Sequence, residues 1–244
     1  MVDFHSHILP GVDDGSESVE ESIEMLRESK QQGVEAVVVT PHFYADRDTP
    51  ERFVRRRAEA AEKLRESVAE MDLPKIILAS EVSYFEGMSD SGILDAMKIE
   101  GTDVVLVEMP AISWNDRMID EVSAIYEKTG IVPMIAHIDR YIKVFGKKNM
   151  ADWFEGLPVI IQANSSFFEG WKYSRLALKM FMESKIHVIG SDAHNMTTRA
   201  PNMTIAFDAL SKRFGPMALR DVEAVEKAVL KGSKKDIFRT VFSR

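Results

Sequence analysis

Val2-Asp3-Phe4-His5-Ser6-His7 reads as a short apolar strand that ends on two imidazoles. The same punctuation recurs along the chain. Ala36-Val37-Val38-Val39 leads into Thr40-Pro41-His42, Ile76-Ile77-Leu78 into Glu81, and Val104-Val105-Leu106-Val107 into Glu108. Val132-Pro133-Met134-Ile135-Ala136 ends on His137, and His187-Val188-Ile189 leads to Ser191-Asp192-Ala193-His194. Short β-branched runs bounded by turn residues have the signature of parallel strands buried on both faces. Where such strands close into a barrel, groups at their C-terminal ends converge on one mouth. Side chains scattered over some two hundred residues would then meet in one place.

Helical stretches separate these strands. Residues 16–32 form a helix candidate, with Ser16 as N-cap, Gly33 past the end, and Val19, Ile23 and Leu26 on one face. Thr49-Pro50 opens a second, reaching residue 71 before Asp72-Leu73-Pro74 breaks it. Further candidates lie at 113–129, 147–154, 173–184, 201–213 and 217–231, with another strand at 159–163. Seven strands with intervening helices predict a TIM-like (β/α) barrel spanning residues 1–244 as a single α/β domain; a doubly wound open sheet is the alternative. The charged stretch 51–70, including Arg55-Arg56-Arg57, reads as a solvated helix face.

Composition narrows the chemistry. The chain has 244 residues, of which 45% are hydrophobic, enough for one large core. It has no cysteine, which excludes disulfides, thiolate zinc sites and a cysteine nucleophile. Its formal net charge is −8, a poor basis for binding nucleic acid. No apolar run reaches the ~20 residues that span a bilayer, and no charged segment followed by an apolar one opens the chain. The expectation is a soluble, cytoplasmic protein with no nucleic-acid partner and no membrane insertion.

His5 and His7, two apart on a strand, point to the same side and can grip one ion. Asp192 and His194 repeat that spacing. With His42, Glu81, Glu108 and His137 at equivalent positions, the pattern predicts a metal centre built of imidazole and carboxylate. Five of the six histidines sit at these strand ends. His187 begins a strand and is expected at the opposite rim in a structural role. Asp13, in Asp13-Asp14-Gly15, reads as a turn residue. Phe43, Tyr44, Tyr84, Phe85, Phe167, Phe168 and Trp171 follow strands and suggest a rim that accepts an aromatic ring.

These motifs resemble the polymerase-and-histidinol-phosphatase (PHP) family of metallohydrolases. More narrowly, the run from Asp3 to Ser16 is similar to bacterial manganese-dependent tyrosine-protein phosphatases of capsule and exopolysaccharide systems. So are Thr40-Pro41-His42, Glu108-Met109-Pro110, Ile135-Ala136-His137 with Arg140-Tyr141, Gln162-Ala163-Asn164 and Ser191-Asp192-Ala193-His194. The resemblance implies a distorted (β/α)7 barrel with three divalent metals, manganese first and iron, zinc or magnesium as alternatives. It implies one ion on His5, His7, Glu81 and Asp192, a second on Glu81, Glu108 and His137, and a third on Asp14, His42 and His194. Arg140 and Arg199 match positions that hold the substrate phosphate. Ile138 and Asp139 replace the family's usual proline and glutamate, a change able to reorient Arg140.

The implied reaction is hydrolysis of phosphotyrosine on a bacterial tyrosine kinase tail by a metal-bridging hydroxide, with no covalent intermediate. Clustered metals lower the pKa of a bound water from ~15.7 towards 7. Hydrolysis of histidinol phosphate or another small metabolite is the enzyme alternative. A closed structural metal site is the non-enzyme one.

Overall fold

In the computed structural model the described residues are 1–215, 217–230 and 234–242. Their strands are β1 (Val2–Ser6), β2 (Ala36–Val39), β3 (His42–Phe43), β4 (Lys75–Leu78), β5 (Glu81–Ser83), β6 (Val104–Glu108), β7 (Val132–Ile135), β8 (Ile160–Asn164) and β9 (Val188–Gly190). Every pair is parallel. Two staves are interrupted: Thr40-Pro41 separates β2 from β3, and Ala79-Ser80 separates β4 from β5. Below the breaks the order is β1-β2-β4; above them it is β3-β5-β6-β7-β8-β9. A parallel bridge between Ser6 and Ala193 joins the last stave to the first. Two hydrogen bonds secure that seam, from the N–H of His7 to Ala193 O at 2.8 Å and from the N–H of Asp192 to His5 O at 2.7 Å. Seven staves thus curl into a distorted (β/α) barrel.

The alternation of side chains along each strand divides the core in two. Phe4, Val38, Ile77, Leu106, Met134, Ile160 and Val188 fill the interior. Val37, Val39, Val105, Val107, Ile135, Ile161 and Ile189 face outward and pack under helices. Burial on both sides is why these runs are apolar without a gap.

The surrounding helices are α1 (Val19–Gln31), α2 (Pro50–Ser67), α3 (Asp116–Thr129), α4 (Ile138–Phe145), α5 (Trp171–Met182), α6 (Thr204–Phe214) and α7 (Met217–Leu230). Among the described residues no helix is long and apolar enough to cross a membrane. Several boundaries differ from expectation. The cap of α1 is Ser18, which accepts from the N–H of Glu21; Ser16 is buried and donates to Ser18 O. The helix expected at 147–154 is a 3-10 turn, Met150–Phe154. Helix α4 was not expected, although Ile138, Tyr141, Ile142 and Phe145 have helical spacing. In the helix expected at 217–231, Lys231 lies outside the described residues.

Helix α7 and the turn at Phe238–Phe242 close the barrel floor, with Val225, Val229, Ile237 and Val241 joining the interior cluster. Glu226 on α7 is buried there and accepts from the N–H of Val2. Burial pushes its carboxyl up to about 7 from an ordinary 4.5, against the pull of that N–H and the N-terminal ammonium. The folded protein therefore holds this proton more tightly than the unfolded chain. The associated stability is intact below about pH 4.5 and is lost as pH rises through about 7. Glu226→Gln is expected to remove that loss, raising stability at pH 8 over wild type by up to roughly 3 kcal/mol. Urea unfolding at pH 5 and pH 8 measures it; identical pH dependence in both proteins would refute the assignment.

Candidate metal centre

Two of the candidate ligands sit in backbone conformations that ordinary residues avoid. His137 has φ 32° and ψ 58°, and Asp192 has φ 56°. Left-handed geometry costs a non-glycine residue on the order of 1–2 kcal/mol and concentrates at functional sites. Here it bends the chain at the ends of β7 and β9. Two glycines meet a related demand. A Cβ on Gly15 would lie 2.1 Å from His7 O, and one on Gly190 would lie 2.5 Å from His5 Cβ. The backbone is pressed against both imidazole-bearing residues.

The nine side chains singled out in the sequence come together at one mouth, with Glu81, 1% exposed, at its centre. Its Oε2 lies 3.2 Å from His5 Nε2, 3.3 Å from His7 Nε2 and 2.9 Å from His42 Nδ1. Its Oε1 lies 2.9 Å from His137 Nε2. Glu108 Oε1 is 3.4 Å from His137 Nε2, and Glu108 Oε2 is 4.0 Å from His42 Nδ1. Asp192 Oδ1 stands 3.6 Å from Nε2 of both His5 and His7. Asp14 Oδ1 stands 3.6 Å from Nε2 of both His42 and His194.

Three overlapping groups have donor atoms within 4.8 Å of one another: His5, His7 and Glu81; His42, Glu81 and Glu108; and His7, Asp14, His42 and His194. Glu81 Oε2, Asp192 Oδ1, His42 Nδ1 and His194 Nε2 are buried and make no hydrogen bond of acceptable geometry. Buried polar atoms are normally satisfied. Lone pairs that converge without hydrogen bonding fit a divalent cation, and this donor set suits Mn, Fe, Zn or Mg.

The charges support the same reading. Burial by itself would push the His7 imidazole down, but the carboxylates of Asp13 and Glu81 outweigh it and raise it to about 10. His137 rises to about 9, burial again being overcome, here by Glu108 and Glu81. Burial and the neighbouring His7 lower His194 to about 4. Despite its burial, Glu81 is held well below the ordinary carboxylate range by the histidines around it.

A second layer orients these groups. Asp13, read from sequence as a turn residue, accepts from the N–H of Gly15 at 3.0 Å. It also lies 2.6 Å from His7 Nδ1 and accepts from the N–H of His42 at 2.9 Å. Gln162 Oε1 accepts from the N–H of His137 at 2.5 Å and lies 3.2 Å from His5 Nδ1. Asn164 Nδ2 donates to Asp192 Oδ2 at 2.9 Å. Buried Asp3 accepts from the N–H groups of His5 and Ser191 at 3.1 and 2.8 Å. An aspartate inside an apolar strand, two positions before a candidate ligand, was the available signal for Asp3.

Arg57 departs from the expected solvated face. It is 6% exposed, and its guanidinium donates to Ala79 O at 3.2 Å, Ala96 O at 2.9 Å and the Ser80 hydroxyl. It thus clamps the interruption between β4 and β5 from which Glu81 emerges.

Both arginines reach the mouth. Arg140 donates to Glu108 Oε1 at 3.0 Å and to Asp192 Oδ2 at 2.8 Å, so Ile138 and Asp139 leave it aimed inward. Arg199 Nη2 lies 2.7 Å from Asp192 Oδ1. The aromatic rim needs correction: Phe43, Phe167 and Phe168 are buried in the core. Tyr44 remains beside the centre, its ring centroid 5.4 Å from that of His42, while Trp171 is exposed. Tyr141 is buried, donating to Met109 O at 2.9 Å. Asp139 accepts from the N–H of Asn164 and pairs with Lys143. His187, just before β9, accepts from the N–H of Ile161 at 2.8 Å.

Comparison with known proteins agrees with this geometry. Residues 1–228 match the family described as capsular polysaccharide synthesis, CpsB/CapC. The tyrosine-protein phosphatase CpsB of Streptococcus pneumoniae is 30% identical over 240 residues, 91% of this chain and 94% of that protein. The tyrosine-protein phosphatase YwqE of Bacillus subtilis is 28% identical over 224 residues, 88% of this chain and 85% of that protein. A crystal structure from work on YwqE and CpsB, described there as metal-dependent tyrosine phosphatases, matches with a TM-score of 0.82. Its identity is 26%, and 96% of each chain is covered.

Replacing Arg57 with Met would keep the aliphatic stem and strand three acceptors, two of them in buried hydrogen bonds. The expected cost is roughly 2–4 kcal/mol in urea unfolding of the metal-free protein. Calorimetric titration with Mn²⁺ should also register weaker binding, as Glu81 loses its anchorage. Unchanged affinity would separate Arg57 from the metal centre.

Proposed function

The chain belongs to the CpsB/CapC family of capsular polysaccharide synthesis, and we infer that it is a metal-dependent tyrosine-protein phosphatase. The observation that carries this reading is a carboxylate, Glu81, facing four imidazoles with two arginines at the same mouth. We assign three ions, manganese by preference. One is held by His5, His7, Glu81 and Asp192, one by Glu81, Glu108 and His137, and one by Asp14, His42 and His194. Residues 1–244 act as one metallohydrolase domain. The substrate is phosphotyrosine on a bacterial tyrosine kinase, met in the cytoplasm.

The clustered metals, when bound, supply an activated water and Lewis-acid stabilisation of the phosphoryl group. The chain's own residues do the rest. Asp13 and Gln162 fix His7 and His5 through their Nδ1 atoms, leaving both Nε2 atoms turned towards Glu81. Arg140 and Arg199 exchange carboxylate partners for the phosphate, which their planar forks can bind through two oxygens each. With no cysteine available, phosphoryl transfer proceeds to water rather than through a thiophosphate.

The leaving group decides between the two enzyme readings. A phenolate, whose conjugate acid has a pKa near ~10, departs with little help. An alkoxide needs a proton. Tyr141 and Asp139, the nearby candidates from sequence, are committed to Met109 O and to Asn164 and Lys143. This favours an aryl phosphate over histidinol phosphate.

The test is hydrolysis of a phosphotyrosine peptide and of histidinol phosphate, side by side, by Mn²⁺-loaded and chelated protein. Peptide turnover that requires metal is expected; histidinol phosphate turnover alone would transfer the protein to small-molecule metabolism. Chelation should abolish activity while far-UV circular dichroism stays unchanged, whereas unfolding would mean a structural site. His42→Ala and Asp192→Ala should each lower kcat/KM by at least about a hundredfold in folded protein. Wild-type rates in either variant would remove that residue from the ligand set.

A further inference from the structure

Trp171 is 79% exposed, the largest exposure among the described large apolar side chains. It opens α5, shortly after β8 delivers Asn164 to the metal centre. The Arg175 guanidinium lies 5.0 Å from its ring centroid, so a cation covers the indole rather than core. Lys172 Nζ is 5.2 Å from the Tyr173 ring, and Lys143 Nζ is 5.6 Å from that same ring. Lys143 stands one turn along α4 from Arg140, whose guanidinium is in the site. Lys143 thus reaches the Tyr173 ring, and Tyr173 shares helix α5 with Trp171 and Arg175.

Lys143 is paired with Asp139, 3.0 Å away. Lys172 and Arg175 have no carboxylate partner among the described residues, and the nearest acid in sequence is the exposed Glu169. In a chain of net charge −8, uncompensated cations beside an exposed indole form a local exception. Trp and Arg are also the side chains that dominate binding interfaces.

We propose that Trp171, Lys172 and Arg175 form a docking surface for acidic residues flanking the phosphotyrosine of the protein substrate. This rests on the phosphatase reading above and adds a sequence preference to it. The surface lies outward of Arg140, reached from α4 through Lys143 and Tyr173, and an extended peptide advances about 3.3 Å per residue towards it. Carboxylates a few residues from the phosphotyrosine would meet the Lys172 ammonium and the Arg175 guanidinium, while apolar atoms cover the indole. The effect belongs to capture of the peptide, so it acts through KM and weakens with salt.

The test compares three substrates of the Mn²⁺-loaded full chain. These are a phosphotyrosine peptide flanked by Asp and Glu, the same peptide flanked by Gly and Ser, and 4-nitrophenyl phosphate. At low ionic strength the acidic peptide should be preferred by about five- to tenfold in kcat/KM, mainly through KM. The preference should shrink in 0.5 M salt. Lys172→Glu with Arg175→Glu should abolish it and Trp171→Ala reduce it, while 4-nitrophenyl phosphate hydrolysis stays at the wild-type rate. Absence of a preference in wild type, or its survival in the charge-reversed variant, overturns the proposal. Binding to phosphatidylserine vesicles without any peptide preference would overturn it in favour of a lipid surface. Failure of the wild type on all three substrates would instead sink the phosphatase reading and this proposal with it. 4-Nitrophenyl phosphate, which needs no docking surface, tells the two failures apart.

Discussion

A buried negative charge, the carboxylate of Glu81, is the constraint around which the mouth is arranged. An isolated carboxylate at 1% exposure would neutralise itself or destabilise the fold. Glu81 remains an anion because imidazoles surround both its oxygens. Each imidazole must then be turned to present one particular nitrogen. That requirement explains Asp13 behind His7 and Gln162 behind His5. It also explains why His137 and Asp192 tolerate left-handed backbone. An extended residue at either position would send its side chain to one face of the sheet in the strand's ordinary alternation.

The stave interruptions belong to the same arrangement. Thr40-Pro41 and Ala79-Ser80 separate the lower sheet from the upper one, and His42 and Glu81 begin the two segments above the breaks. Those two residues are direct partners in the register of β3 and β5. Arg57 supplies donors to Ala79 O and the Ser80 hydroxyl in the break between β4 and β5. A cation buried under a barrel wall looks wasteful until two of its three acceptors are seen to be on Ala79 and Ser80, the residues just before Glu81.

Much of this was legible in the sequence because parallel strands buried on both faces are continuously apolar, so a polar residue at their end stands out. His5, His7, His42, Glu81, Glu108, His137, Asp192 and His194 were visible for that reason. Asp14 rested on resemblance alone, since nothing in its spacing separates it from Asp13. What was hidden depends on tertiary direction. Arg57 looks like its neighbours Arg55 and Arg56 in sequence, and only the packing of α2 sends it inward. Phe43, Phe167 and Phe168 read in sequence as Trp171 does, yet Phe43 lies within β3 and the turn after β8 folds the other two into the core, leaving the tryptophan outside. Helix α4 was masked because its first residues carry a motif, and a motif draws attention away from the periodicity beneath it. Ser16 lost the cap to Ser18 through a local competition between hydroxyls that share one turn.

The seam between Ser6 and Ala193 has a bearing on how the molecule comes together. His5 and His7 arrive first from the N-terminal strand, and Asp192 and His194 close to last. An ion held by His5, His7 and Asp192 would bridge the two ends of the barrel, and no early fragment of the chain could assemble its site. Contacts of such separation are slow to form, since the whole intervening loop must be ordered first. A metal held across the seam would tie the first stave to the last and favour the closed ring over any state in which the final strand has peeled away. Catalytic competence and completion of folding would then coincide, and a truncated or half-folded chain would be silent rather than partly active.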